Sequence, residues 1–115
     1  RVNGLAWGLD NWIYGANGGN SGNVKWATVG GNPVSIRGAD FRFHIPTKRF
    51  EVAGRSSGGF EITFDDWGRY FQTHNTQHIY QLVFPGSFID ALPPSRAGTL
   101  SLISGRWSGP TWHKR

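Results

Sequence analysis

His78 follows Asn75 by three residues in Asn75-Thr-Gln-His78, just beyond the alternating run Arg69-Tyr-Phe-Gln-Thr73. An imidazole where a strand exits into a loop can take a proton from a hydroxyl or act as a ligand. The competing reading is a loop histidine bonded to backbone. Arg37 and Arg42 carry planar guanidinium forks that grip a carboxylate or phosphate at two points. Asp40, Glu51 and Glu61 offer them the simpler role of partners on an exposed strand face. Asn17 and Asn20 stand in a Gly-rich stretch after an aromatic run, where loops line binding sites. His74 reads as solvated, His44 lies on the strand face opposite Phe43, and His113 sits in an unpatterned stretch.

Other chemistries fail on spacing. Asp65 and Asp66 are adjacent, so in a strand they point to opposite faces and cannot act as paired carboxylates. Asp10, Asp65 and Asp66 read instead as turn caps. Calcium needs several oxygens converging from one loop, and no such cluster stands in the sequence. With no Cys there is neither a disulfide framework nor a thiolate metal site. The loop from Gly18 to Asn23 lacks the Gly-Lys-Ser/Thr ending of a phosphate loop and a following helix. Trp7, Trp12 and Trp67 suit packing between sheets better than sugar stacking.

The elements that must position these residues are strands. Gly4–Trp7 and Trp12–Asn17 flank a turn at Gly8-Leu-Asp-Asn11, whose Asp and Asn accept backbone hydrogen bonds and tolerate unusual φ. Leu5 and Trp7 share one face; Ile13 opposes Trp12 and Tyr14. Val24–Val29 and Val34–Arg37 are short strand candidates around Gly30-Gly-Asn-Pro33. Asp40–Ile45 puts Phe41, Phe43 and Ile45 on one face and Arg42 and His44 on the other, and Phe50–Ala53 returns after Pro46–Arg49. Phe60–Phe64, Arg69–Thr73 and Ile79–Phe84 follow. No stretch sustains a helical period.

The composition agrees: 17 Gly, 6 Pro and 15% aromatics, against 17% charged residues, suit short strands and tight turns. The net charge of +5 resembles a nucleic-acid footprint until it is located. Residues 1–95 hold eight Lys/Arg and seven Asp/Glu, and the other four basic residues lie beyond Ser95. Four scattered charges are a weak phosphate-binding surface, so nucleic acid is not an expected partner. No apolar run approaches the ~20 residues of a membrane helix. The chain starts at Arg1 inside a folded-looking segment, without initiator Met or signal peptide, and is expected to be a fragment.

The main organisational signal is a repeat. Gly4-Leu-Ala-Trp-Gly-Leu-Asp10 recurs in related form as Gly59-Phe-Glu-Ile-Thr-Phe-Asp65, an offset of 55 residues (59 less 4). Both copies run on into a Trp-containing turn and an aromatic strand. A four-stranded propeller blade takes ~40–50 residues, a little more with long loops. The expectation is therefore an all-β chain: about two four-stranded antiparallel blades of a β-propeller over residues 1–93, then a tail of unassigned structure over 94–115. One blade cannot cover both of its faces. Two blades should self-associate or belong with the remaining blades of a longer chain.

Gly4–Asn17, Ser35-Ile-Arg-Gly-Ala-Asp-Phe-Arg-Phe43 and Phe64-Asp-Asp-Trp-Gly-Arg-Tyr-Phe71, followed by Asn75-Thr-Gln-His78, resemble the membrane-bound dehydrogenases abundant in planctomycetes and their relatives. Those are similar to the soluble quinoprotein glucose and sorbosone dehydrogenases, which carry six-bladed propellers. The resemblance covers about residues 2–93. It departs at Ala39, where the family usually has Arg, and after Pro94, where the chain reads like a truncated or frameshifted frame. The resemblance implies pyrroloquinoline quinone and Ca²⁺, a sugar or alcohol substrate, and a periplasmic or secreted setting. It implies His78 as the catalytic base candidate and Asn17, Arg37 and Asn75 as cofactor-binding candidates. A ring of ligands drawn from several blades exceeds what two blades hold. The expected function is thus a dehydrogenase-like propeller fragment, inactive alone. The alternatives are an aromatic-rich carbohydrate-binding β module and a protein-interaction scaffold.

Overall fold

The structure, a computed structural model, describes residues 2–55, 59–74, 79–84, 88 and 91–93. Its first hairpin pairs β1 (Asn3–Trp7) with β2 (Ile13–Ala16), with Trp7 opposite Ile13. Two backbone bonds close the reversal: Asn11 N–H donates to Gly8 O at 3.2 Å, and Gly8 N–H donates to Trp12 O at 2.8 Å. Asn11 takes a left-handed φ of 63°, which Asn tolerates better than most residues. Asp10 Oδ1 accepts the Trp12 N–H at 3.2 Å, so this aspartate is a turn cap.

The chain next makes a small excursion. β3 (Asn23–Val24) and β4 (Val34–Ser35) form a two-stranded ladder. The longer strands expected at Val24–Val29 and Val34–Arg37 shrink to these pairs. Lys25 and Ala27–Pro33 are exposed, and a stretch with two Gly and a Pro has few side chains to pack and one donor fewer. β5 (Ala39–His44) and β6 (Arg49–Arg55) then complete a four-stranded antiparallel sheet in the order β1-β2-β5-β6. Tyr14 opposes Arg42, which opposes Glu51.

A second sheet follows, β7 (Glu61–Phe64), β8 (Tyr70–Thr73) and β9 (Tyr80–Leu82), in chain order and antiparallel. Its opening hairpin repeats the first. Gly68 N–H donates to Asp65 O at 2.9 Å, Asp65 N–H to Arg69 O at 3.3 Å, and Gly68 has φ 75°. By these bonds Gly8 corresponds to Asp65 and Asn11 to Gly68, so the structural offset is 57 residues (65 less 8), not 55. The difference is two, so every residue keeps its face. All-β antiparallel architecture is as expected. Among the described residues, however, the second sheet has three strands where four were expected.

The two sheets stack. Ala16, Ile62 and Tyr70 are buried between them, with Ala6, Tyr14, Phe64 and Leu82 packed around. Tyr14 meets Phe64 edge-on at 4.8 Å, and Phe64 meets Tyr70 at 5.6 Å. The first hairpin leads with small residues on this face, which lets the backbones close in. A Cβ on Gly4, whose φ is +53°, would lie 2.6 Å from Glu61 Cα. On the outer face of the first sheet the Phe41 ring lies over Gly15, and Phe41 stacks on Phe50 at 5.3 Å. Trp26, from the loop after β3, covers Phe43 edge-on at 6.2 Å. Leu5 and Trp7 share this face and stay exposed.

Candidate functional site

Antiparallel pairing brings β2's exit, β5's entry and the start of β7 to one end of the sheets. There Asn17 is 1% exposed. Its backbone N–H donates to Asp40 Oδ1 at 2.9 Å, and its Nδ2 donates to the carbonyls of Asn20 and Ile36, both at 2.6 Å. Asn20 returns a bond from Nδ2 to Asn17 O at 2.5 Å. Asn17 therefore pins the loop after β2 to the turn before β5. Arg37 stands exposed on that turn, next to Gly38 at φ +63°. The structure thus brings Asn17 and Arg37 to one end and gives them different roles: one holds the loop, the other reaches solvent. β8 ends at Thr73 at this same end. Asn75 and His78 lie outside the described residues, as do the tail from Pro94 and His113.

Asp40 ties this end together. It is 1% exposed. Besides the Asn17 N–H, its Oδ2 accepts Tyr70 Oη–H at 3.1 Å and Gln72 Nε2–H at 2.6 Å. A buried carboxylate is tolerable only with donors around it. These come from three places: the loop after β2 and two positions of β8 in the other sheet. Burial pushes the Tyr70 hydroxyl pKa well above its ordinary value, and the Asp40 charge and hydrogen bond add to the rise. Gly59 is fitted against the same group, since a Cβ there would overlap the Gln72 amide.

The opposite end carries a second polar cluster. Arg42 donates through Nη2 and Nε to Glu51 Oε2 at 2.9 and 3.3 Å. Its Nη1 donates to Tyr14 Oη at 3.1 Å and to Asp10 Oδ2 at 3.3 Å, while Tyr14 Oη–H donates to Asp10 Oδ2 at 2.8 Å. Partial burial opposes the Arg42 charge, but the bonds to Tyr14 and Glu51 outweigh it and raise its pKa. Burial also raises Tyr14, against the lowering influence of Arg42. Arg42 lies 4.4 Å and Arg49 5.4 Å from the centre of the Trp12 ring, and His44 stacks on that ring at 5.4 Å. Glu51 joins Arg49 as well. Every charge here has a partner in the chain, which makes this a structural lattice at the sheet's end.

Asp65 is the second hairpin's cap. Its Oδ1 accepts the N–H groups of Trp67 and Arg69 at 3.0 and 2.9 Å, and its Oδ2 accepts Arg69 Nε–H at 2.5 Å. Slight desolvation acts upward on its pKa, and those hydrogen bonds prevail and lower it. Trp7 and Trp67, expected to pack between blades, are 64% and 78% exposed on this pair of sheets. Trp12 is covered, by arginines on its own sheet. Sequence reasoning missed Asp40, Tyr70 and Gln72 as a group. They shared no local signal: Tyr70 and Gln72 alternate on one face of β8, while Asp40 has the parity of Arg42 and His44, a face read as exposed.

Among the described residues no three His, Cys, Asp or Glu side chains converge as a metal site, and no helix is long and apolar enough to cross a membrane. A family model described as "domain of unknown function (DUF7133)" matches residues 1–103, and the chain belongs to that family. The match runs past Pro94, where the resemblance read from the sequence stops. No curated protein and no solved structure matches the chain.

Proposed function

We propose that this member of the DUF7133 family is two neighbouring blades of a β-propeller, of the kind found in quinone-dependent sugar and alcohol dehydrogenases, and that it works only with further blades. The supporting observation is the pair of equivalent hairpins. Each opens its own antiparallel sheet with the same turn bonds, and the sheets stack face to face with the hairpins in the same orientation. Repeats that stack in this manner use their neighbours to bury faces they cannot cover alone.

The described residues do not by themselves fit the cofactor or the metal. Asn17 Nδ2 is spent on two backbone carbonyls. Asn17 Oδ1 is a buried acceptor with no partner among the described residues, and a single oxygen falls far short of a calcium shell. Arg37 is the exposed group at that end able to meet a carboxylate. In this reading His78 is the base candidate and Asn75 a further cofactor contact. Both remain proposals, and other blades complete the ring.

Calorimetric titration with pyrroloquinoline quinone and Ca²⁺ tests the reading, on this chain and on the longer polypeptide that contains it. The longer protein is expected to bind quinone and oxidise a sugar or alcohol, and the Arg37→Ala variant to bind quinone more weakly. The chain alone is expected to show no turnover. Turnover by this chain alone, or a longer protein indifferent to quinone, would overturn the proposal.

A further inference from the structure

A cleft of about 410 Å³ opens at the turn end of the first sheet, lined by Trp7, Asn11, Ile13, His44, Ile45 and Pro46. Its size falls within the ~300–1,000 Å³ of small-molecule sites, and its make-up fits them too: mostly apolar walls with a few placed polar groups. Trp7 is the last residue of β1, opposite Ile13, and its indole is 64% exposed. The described residues leave this indole largely uncovered beside the cleft. Leaving that much aromatic surface in water is unfavourable unless something covers it.

The polar groups are held in place. His44 stacks on Trp12 at 5.4 Å with 28° between ring planes, and its Nδ1 meets Thr47 Oγ1 at 2.7 Å. Trp12 is itself held under Arg42 and Arg49. The imidazole is thus fixed, and its Nε2 has no hydrogen-bond partner among the described residues. Asn11 sits in the left-handed turn position, its backbone fixed by the bond to Gly8 O. None of the six lining residues carries a fixed charge.

We infer that this cleft binds a neutral pyranose or a comparable cyclic polyol. One apolar ring face would lie on Trp7, with hydroxyls meeting His44 and the Asn11 amide. The C–H face of such a ring packs on an indole by dispersion and removes apolar surface of both from water. Uncharged donors and acceptors suit hydroxyls, while a carboxylate or phosphate finds no cation among the lining residues to offset its desolvation. The cleft lies at the opposite end of the sheet from Asn17 and Arg37, at the turn rim of the face that Leu5 and Trp7 share.

The experiment is a titration of the whole chain with methyl glucoside, methyl galactoside, methyl mannoside and inositol. It is read by the indole N–H and imidazole signals in NMR spectra, with glucuronate as the charged comparison. Saturable shifts at Trp7 and His44 are expected with at least one neutral ligand, and weaker binding of glucuronate. Trp7→Ala should raise the dissociation constant about tenfold or more, while Trp67→Ala, at another exposed indole, should leave it unchanged. Unaltered backbone signals in both variants would show that the fold survives. The inference is overturned by the absence of saturable shifts at Trp7 up to about 0.1 M ligand. It is equally overturned by binding that survives Trp7→Ala, or by glucuronate binding as tightly as the neutral sugars. Sedimentation velocity run alongside separates this result from association between copies. A chain that binds sugar and stays monomeric, within a longer protein indifferent to quinone, would leave the cleft standing and remove the propeller reading.

Discussion

Asp40 accepts hydrogen bonds from Asn17 N–H, Tyr70 Oη–H and Gln72 Nε2–H while almost fully buried. Its neighbours are therefore donors that need an acceptor as much as Asp40 needs them. Asp40→Asn would turn an amide N–H toward a donor and weaken bonds to a charged group. A loss of about 2–3 kcal/mol in denaturant unfolding is expected. Tyr70→Phe removes one donor and should lose about 1 kcal/mol. The same pair sets an alkaline limit. The folded Tyr70 pKa lies above the ordinary 10.0 of the unfolded chain, so its contribution is complete below about that pH and fades above it. Unfolding midpoints should hold level to the ordinary tyrosine pKa and then fall. Tyr70→Phe should flatten that fall, and a slope indifferent to the substitution would remove this account. Alternation put Asp40 with Arg42 and His44 on a face read as exposed, whereas it is 1% exposed and pairs with no arginine among the described residues. Its partners were not readable, because they come from a strand 30 residues on, in another sheet.

Hairpins were the most legible elements, since Gly, Asn and Asp at turns and alternating apolar residues speak locally. The register of the repeat was less so. The letters align Asp10 with Asp65. In space Asp65 begins its turn, whereas Asp10 is its turn's third residue, and each reaches backbone N–H groups from its own position. A short acceptor side chain can cap a turn from either place, so the letter does not fix the register. Two glycines separate local strain from contact between elements. Gly68 is left-handed at φ 75°, with only ordinary contact to Leu9 near its missing Cβ, so Gly68→Ala should lose about 1–2 kcal/mol from the backbone alone. Gly4 is left-handed too, but its Cβ would also strike Glu61 backbone in the other sheet. Gly4→Ala should lose more than Gly68→Ala and should disturb NMR signals across both sheets. Equal losses, or changes confined to β1, would mean that the sheets do not meet at Gly4.

At the scale of the molecule, the two sheets bury one face of each and leave the others facing outward. Composition and the repeat made an all-β, multi-sheet chain legible. How many strands each sheet holds was not, because strand number depends on pairing between segments far apart in the chain. The outer face of the first sheet holds Leu5, 63% exposed, beside the Phe41 ring, and among the described residues β1 is an open edge of that sheet. An apolar face next to an unpaired edge favours association. Sedimentation velocity over a concentration series is expected to show the chain associating. Leu5→Arg should shift it toward monomer, because a charge on this face must be desolvated before another sheet can cover it. The substitution is at an exposed site, so unfolding stability should change by no more than about 0.5 kcal/mol. A wild-type chain that stays monomeric at every concentration would mean that this face is content in water, and stacking on further blades would lose its physical motive. Association that is undiminished in Leu5→Arg would place the contact elsewhere, such as along the β9 edge of the second sheet.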